Sequence, residues 1–271
     1  MIKLFRGLLF SYFVSCGIGA LLLVLFAFNP FSDPFSNTTL YFFALLLVWT
    51  PFNAFIFELV ARARAAKIDQ LRLNCDVESF IAIYKNLLRA CPWRIPKTFV
   101  LLQLSAGYLT IGNDESAFQT LSQIKYFPKI REGASYLFLY HNNWFVYHVH
   151  TGDIAAAVES LAQMELALQN PKQRQLPTAY RDAYASAFIQ RQYILNMAHG
   201  DYAGCEDIFT AAYENATDTL NRVSAKCTLG RIYQHENRLN EAREAFKFAA
   251  EHGGDTIYQK KATEFLEELT Q

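Results

Sequence analysis

The chain is predicted to be all-α, an N-terminal transmembrane helical hairpin followed by an irregular α-solenoid of helix-turn-helix units. Three observations predict this. Leu8 to Phe28 and Leu40 to Val60 are two apolar runs of 21 residues, set back to back at the N-terminus. Beyond them, Gly112, Gly152, Gly200 and Asn237 each separate two stretches of helical apolar spacing. Between these regions no Gly or Pro interrupts Val60 to Leu73, so the second run is expected to continue as helix into the soluble part.

The runs come first. A helix rises about 1.5 Å per residue, so about twenty residues cross roughly 30 Å of hydrocarbon. Neither run contains Lys, Arg or Asp, and Glu58 is their one charge, in favourable i,i+4 order with Arg62. Small residues recur at Gly7, Ser11, Ser15 and Gly19, a stripe that lets helices approach closely and offers hydroxyls for bridging. It suits packing within the hairpin, against a second copy or against another membrane protein. Pro51 and Asn53 are expected to kink the second span. Two midplane interruptions without ionisable groups do not make a transport pathway.

Cations set the orientation. Lys3 and Arg6 precede the first run, Arg62, Arg64, Lys67 and Arg72 follow the second, and residues 29–39 between them carry only Asp33. Both termini and the soluble domain are therefore expected on the cytoplasmic side, in a plasma membrane of the prokaryotic kind. Asn29 and Pro30 do not form a small-x-small cleavage site, and apolar sequence continues for twelve residues past the lipoprotein-like Phe13 to Cys16. The sequon at Asn37 to Thr39 lies too near the bilayer to be glycosylated.

Composition narrows the rest. Of the 271 residues, 1–61 form the hairpin and 62–271 one cytoplasmic helical domain, long enough for a continuous core. Twelve of the 23 Phe fall before residue 61, which accounts for the high overall hydrophobicity. Beyond Val60, 23 acidic and 23 basic residues balance, so no field draws nucleic acid. The five cysteines, Cys16, Cys75, Cys91, Cys205 and Cys227, show no CxxC spacing, which argues against a disulfide framework or zinc knuckle.

Asn74 is the expected first break, with Asp76 and Glu78 opening a helix that ends by Pro92. The clearest repeat copy then runs Leu229, Gly230, Tyr233, Ala242, Phe246 and Ala249, with Asn237 in the turn. Small Gly230 and Ala242 would let two helices cross closely, with Tyr233 and Phe246 filling the flanks. Three further copies align on the same turn. Leu104, Ser105 and Tyr108 lead through Gly112 to Ala117, Leu121 and Ile124, and Trp144, Phe145 and His148 lead through Gly152 to Ala157, Leu161 and Met164. Tyr193 and Asn196 lead through Gly200 to Cys205, Phe209 and Ala212. This pattern resembles the tetratricopeptide repeat, with units at about 98–131, 138–171, 186–219 and 223–254 and a polar capping helix at 255–271. The turns lie 40, 48 and 37 residues apart, so longer helices or linkers are expected between units.

The resemblance implies a concave face that holds a peptide or another chain. Its groove positions correspond to Asn142, Asn143, Val146, His150, Gln190, Arg191, Ile194, Arg231, Gln234 and His235, a polar and mildly basic set. Some family members clamp a C-terminal carboxylate with Lys, Asn and Arg. Here only Asn143 and Arg191 match, while Leu102, Ala106 and Ala187 stand at the other clamp positions, so a looser groove using Arg191 and Arg231 is the expectation.

No catalytic pattern accompanies it. His141, His148, His150 and Asp153 lack HExxH or paired-carboxylate spacing, and GxSxG, P-loop and GxGxxG motifs are missing. No metal, cofactor or enzymatic activity is expected. The sequence points to a membrane-bound scaffold or adaptor for a protein or peptide partner. The alternative is a non-catalytic subunit of a membrane complex, or a homo-oligomer, held through the hairpin.

Overall fold

The structure, a computed structural model, describes residues 66–90, 94–127, 131–171 and 176–268. The spans at 8–28 and 40–60 and the stripe Gly7, Ser11, Ser15 and Gly19 lie outside the described residues. The chain divides into two units, Met1–Ile68 and Asp69–Gln271, and the helical array belongs to the second. Among the described residues every regular element is a helix, and none is long and apolar enough to cross a membrane.

A helix covering 66–73 precedes α1 (Val77–Ala90), α2 (Arg94–Thr110), α3 (Asp114–Leu121), α4 (Arg131–Thr151), α5 (Ile154–Gln169), α6 (Thr178–Ala198), α7 (Cys205–Glu214), α8 (Thr219–His235), α9 (Leu239–His252) and α10 (Ile257–Glu268). Each helix from α2 to α10 packs on its predecessor. α2 also packs on α4, and α10 reaches both α8 and α2.

In α1 the residues Val77, Phe80, Ile81 and Tyr84 follow i, i+3, i+4, i+7 spacing, so one stripe faces inward, and all four are at most 5% exposed. Burying each such side chain contributes about 1.5–3 kcal/mol. Tyr84 donates its hydroxyl proton to Asp69 at 3.4 Å, tying the preceding helix to α1. Helix starts follow the same local logic. Asn113 accepts from the Ser116 amide, Asp153 from Ala156 and Asp218 from Asn221, side-chain caps that each contribute about 1 kcal/mol.

One turn geometry recurs along the chain. Gly112, Gly152, Gly200 and Asn237 have φ of 76°, 75°, 82° and 61°, the left-handed conformation in which a helix ends with two backward hydrogen bonds. Thus the Asn113 amide donates to the Tyr108 carbonyl, Asp153 to His148, Asp201 to Asn196 and Arg238 to Tyr233, all at 2.8–2.9 Å. A fifth turn has the same form, with Cys75 at φ 65° and the Asp76 amide donating to Leu71 at 2.8 Å.

The unequal spacing of the turns resides in the helices. α5 has 16 residues where α3 has 8 and α7 has 10, which sets the longest spacing, and α4 and α6 have 21 each where α2 and α8 have 17, the extra turn lying at their N-terminal ends. Within the last pair, a Cβ on Gly230 would lie 2.5 Å from the Phe246 ring, so the two helices cross at contact distance there. Ala242 and Phe246 are fully buried, and Phe246 stacks on Phe265 of α10 at 4.8 Å between ring centres.

The end of the array meets its beginning. Asp255 accepts the Val77 amide at Oδ1 (2.9 Å) and the Glu78 amide at Oδ2 (2.6 Å), while its own amide donates to the Cys75 carbonyl at 3.3 Å. Cys75 is 3% exposed and shares one apolar cluster with Val223, Cys227, Phe246 and Ala262, so the first turn is built into the core of the last units. The array is closed on itself.

Candidate functional site

The groove residues sit on α4, α6 and α8, the first helices of three successive pairs. Their length and repeated turns bring these helices side by side, and the structure shows what each side chain does. Asn143 is 4% exposed, and its amide donates to the Leu102 carbonyl and to Ser105 Oγ, both at 3.0 Å on α2. An amide buried in that way must be satisfied internally, so Asn143 joins α4 to α2 and presents little to a partner.

Next to it, Arg191 on α6 donates through Nε to Asn142 Oδ1 at 3.0 Å and lies 5.9 Å from the centre of the Phe145 ring. Burial pulls its guanidinium pKa below the ordinary value, with Tyr258 of α10 acting in the opposite direction. His150, at the C-terminal end of α4, lies 2.9 Å from Asp114 Oδ1, so its ring donates through Nδ1–H to a carboxylate in the first turn of α3. Burial lowers the His150 pKa, the Asp114 bond and charge raise it, and Lys261 and Arg191 lower it further.

Val146 and Ile194 are apolar filling, packed against the cluster of Phe138, Phe145, Met164 and Leu195. Gln190 donates to Ser186 Oγ at 3.2 Å on its own helix. Arg231 is exposed and Gln234 partly so. His235 turns to another surface, where it stacks on Tyr202 at 3.8 Å and an interplanar angle of 8°. The sequence set is therefore split. Asn142, Asn143 and Arg191 form a connected polar group on α4 and α6, His150 is bonded to Asp114 instead, Arg231 remains available on α8, and His235 belongs elsewhere.

α10 reaches the end of α2. Its Lys260 Nζ donates to the Ile111 carbonyl at 3.3 Å, and Ile257 fills the space where a Cβ on Gly112 would be, 3.0 Å away. Lys261 acts on both His150 and the Cys227 thiol, which burial pushes up to about 11. The helix thus packs on α9 and α8 and reaches α2.

Two further features were not expected. Phe118, Trp144, Tyr147 and His148 form a ring cluster between α3 and α4, with Trp144 and His148 stacked at 5.4 Å and Phe118 45% exposed. The aromatic density of α4 was its signal. Around Tyr202 and His235 an open recess of about 380 Å³ is lined by Gly204, Glu206, Asp207 and Glu236. Arg238 beside it bonds Glu206, Glu236 and Glu241 at 2.6–3.1 Å and lies 4.3 Å from the centre of the Tyr233 ring.

Among the described residues no three of His, Cys, Asp and Glu converge as a metal ion requires. The thiols of Cys75, Cys205 and Cys227 are buried, and burial raises the pKa of each, which disfavours the reactive thiolate.

No protein-family model, curated protein or solved structure matches this chain.

Proposed function

We propose that this protein is a membrane-anchored scaffold or adaptor, held by the hairpin of residues 1–61 with both termini in the cytoplasm, whose tetratricopeptide-like array binds a protein or peptide partner at the bilayer. The observation that supports it best is the recurrence of one left-handed turn at residues 75, 112, 152, 200 and 237. A repeated unit that stacks in one direction generates a continuous inner surface, and such surfaces serve extended or helical protein segments. The partner would meet Arg231 and Gln234 on α8 and, beyond them, the Asn142 and Arg191 pair. Exposed Arg231 suits an acidic segment, since a guanidinium binds carboxylates with two donors.

A specific observation favours the second reading, a non-catalytic subunit recognised through its spans. Asn143, Arg191 and His150 already have partners within the chain. The two readings separate in a chimera. Residues 1–60 are replaced by an unrelated two-span anchor and the stoichiometric complex is isolated in mild detergent. Retention of the partner supports the groove, and its loss transfers recognition to the hairpin.

A further inference from the structure

We propose that the end of the array formed by the C-terminus of α1 and the N-termini of α2, α4 and α6 is a docking surface for anionic lipid headgroups. It rests on the membrane anchoring proposed above and adds a second, electrostatic contact that sets the array on the bilayer in one orientation.

Charge is unevenly placed along this chain although it balances overall. The segments 89–97, 122–132 and 170–182, which lie between helix pairs, hold nine Lys or Arg and two acids. The turns at 74–78, 111–115, 151–155, 199–207 and 236–241 hold ten acids and one Arg. Acids at a turn have a local use, because the helix that follows favours them at its start. The cations have none. Arg94 and Lys97 fall in the first turn of α2, which carries no acid, Arg131 opens α4, and Arg181 falls in the first turn of α6, also without an acid. A cation at a helix N-terminus meets the positive end of the dipole, so these positions weaken three inner helices, and an external anion offsets them.

Packing gathers these helix ends. Thr98 Oγ1 donates to the Tyr126 carbonyl at 2.9 Å, which sets exposed Lys97 beside exposed Lys125. Leu88, Phe127 and Tyr136 pack on one cluster with Leu101 and Leu121, so exposed Arg89 stands at the same end. Tyr184 stacks on Phe138 at 4.7 Å, which brings the start of α6, with exposed Arg181, alongside the start of α4. Among these cations Tyr126 and Tyr180 are 40% and 58% exposed, amphipathic rings of the kind that settle at a membrane interface. The path of the chain agrees with this placement. Asp69 and Tyr84 bond across the Cys75 turn, so the helix that ends at this turn runs antiparallel to α1. The chain therefore approaches the array from the C-terminal side of α1, where the cations stand. Each cation near an anionic bilayer favours it by about fivefold, and four on one face make the contact additive.

The test places the full chain in lipid nanodiscs of phosphatidylcholine alone or with about a third phosphatidylserine. Lysines are modified briefly with a water-soluble amine reagent and quantified by mass spectrometry. Lys97 and Lys125 should react at least about fivefold more slowly on the anionic discs, and salt at about 1 M should abolish the difference. Lys247 on α9, whose side chain is 67% exposed, should react equally on both. The double variant Arg89→Glu, Arg181→Glu keeps both reporter lysines and should lose at least half of the protection with its circular dichroism unchanged. The wild-type comparison needs no variant, so a misfolded one leaves it standing. Equal reactivity of Lys97 and Lys125 on the two discs overturns the docking. Protection already complete in neutral discs or detergent micelles shows that the chain or a second copy covers these lysines, and overturns it as well. Anchoring is read separately, as retention of the chain on neutral vesicles in about 1 M salt. A chain washed from neutral vesicles yet protected when anionic ones are added keeps the docking and loses the anchor.

Discussion

Asp255 Oδ1 accepts the Val77 amide proton at 2.9 Å, across 178 residues of chain. The two backbone amides that a short α1 would leave bare at its N-terminus are thereby satisfied by the segment entering the last helix. Asp76 supplies the local cap as well, accepting from Ser79 at 3.3 Å. A carboxylate at a helix start is favoured by the helix dipole, and here that preference is used to join the two ends of an array.

Gly230 tests the close crossing of α8 and α9. Adding a methyl group in Gly230→Ala sets a Cβ 2.5 Å from a buried ring that is itself stacked on Phe265. Overpacking of this kind costs about 1–3 kcal/mol. Gly152→Ala is the contrasting change, because nothing lies within 4 Å of its Cβ position but φ is 75°. Only the left-handed backbone is strained there, at about 1–2 kcal/mol. Urea midpoints measure both, and a Gly230→Ala chain as stable as wild type would disprove the crossing.

Asn143 tests the joint between α4 and α2. Asn143→Ala removes both donated bonds and leaves the buried Leu102 carbonyl and Ser105 hydroxyl only their 2.9 Å bond to each other. The loss should be about 1–3 kcal/mol, seen as a fall in thermal midpoint with helix content unchanged at low temperature. Asn142→Ala, on a partly exposed neighbour, should cost less.

Protonation of the buried histidines should destabilise the domain. Burial lowers the pKa of His141, His148 and His150 below 6.5, so the folded form holds each ring neutral. An unfolded chain then binds more protons than the folded one as pH falls through about 6.5, and stability declines with it. Stability is fully present above that pH and is lost progressively toward the folded-state values. Urea midpoints between pH 8 and 5.5 should show the slope, and His141→Gln and His150→Gln should each flatten it.

Much of this architecture was legible from single residues. Gly112, Gly152, Gly200 and Asn237 are residue types that tolerate positive φ, so their turns announced themselves. The fifth turn did not, because cysteine seldom adopts that conformation, and Asn74 beside Cys75 was the natural reading of the break. The second and third pairs were expected to begin at 138 and 186, whereas α4 and α6 start at Arg131 and Thr178. The added turn of α4 contains Gly133, a poor helix former, and α6 starts after Pro177 without a side-chain cap, so neither start carries the usual signal. Of the groove set, Asn142 and Arg191 lie together, a pairing that repeat phase alone supplies. Its polarity was misleading, since an Asn on an inner helix face serves equally well to bond a neighbouring helix. The closure through Asp255 has no local signature, because its partners are backbone amides and any helix start could have taken them.

The groove is the central claim, and Arg231 tests it most directly because it is exposed and can be changed without opening the core. The measurement is the affinity of the full-length Arg231→Ala, Gln234→Ala chain for the partner that copurifies stoichiometrically with wild type, with circular dichroism and thermal midpoint confirming an intact fold. The account predicts at least about a tenfold loss, the size expected when a charged hydrogen bond to a partner is removed. Unchanged affinity in a folded variant would contradict it and move recognition to the membrane hairpin.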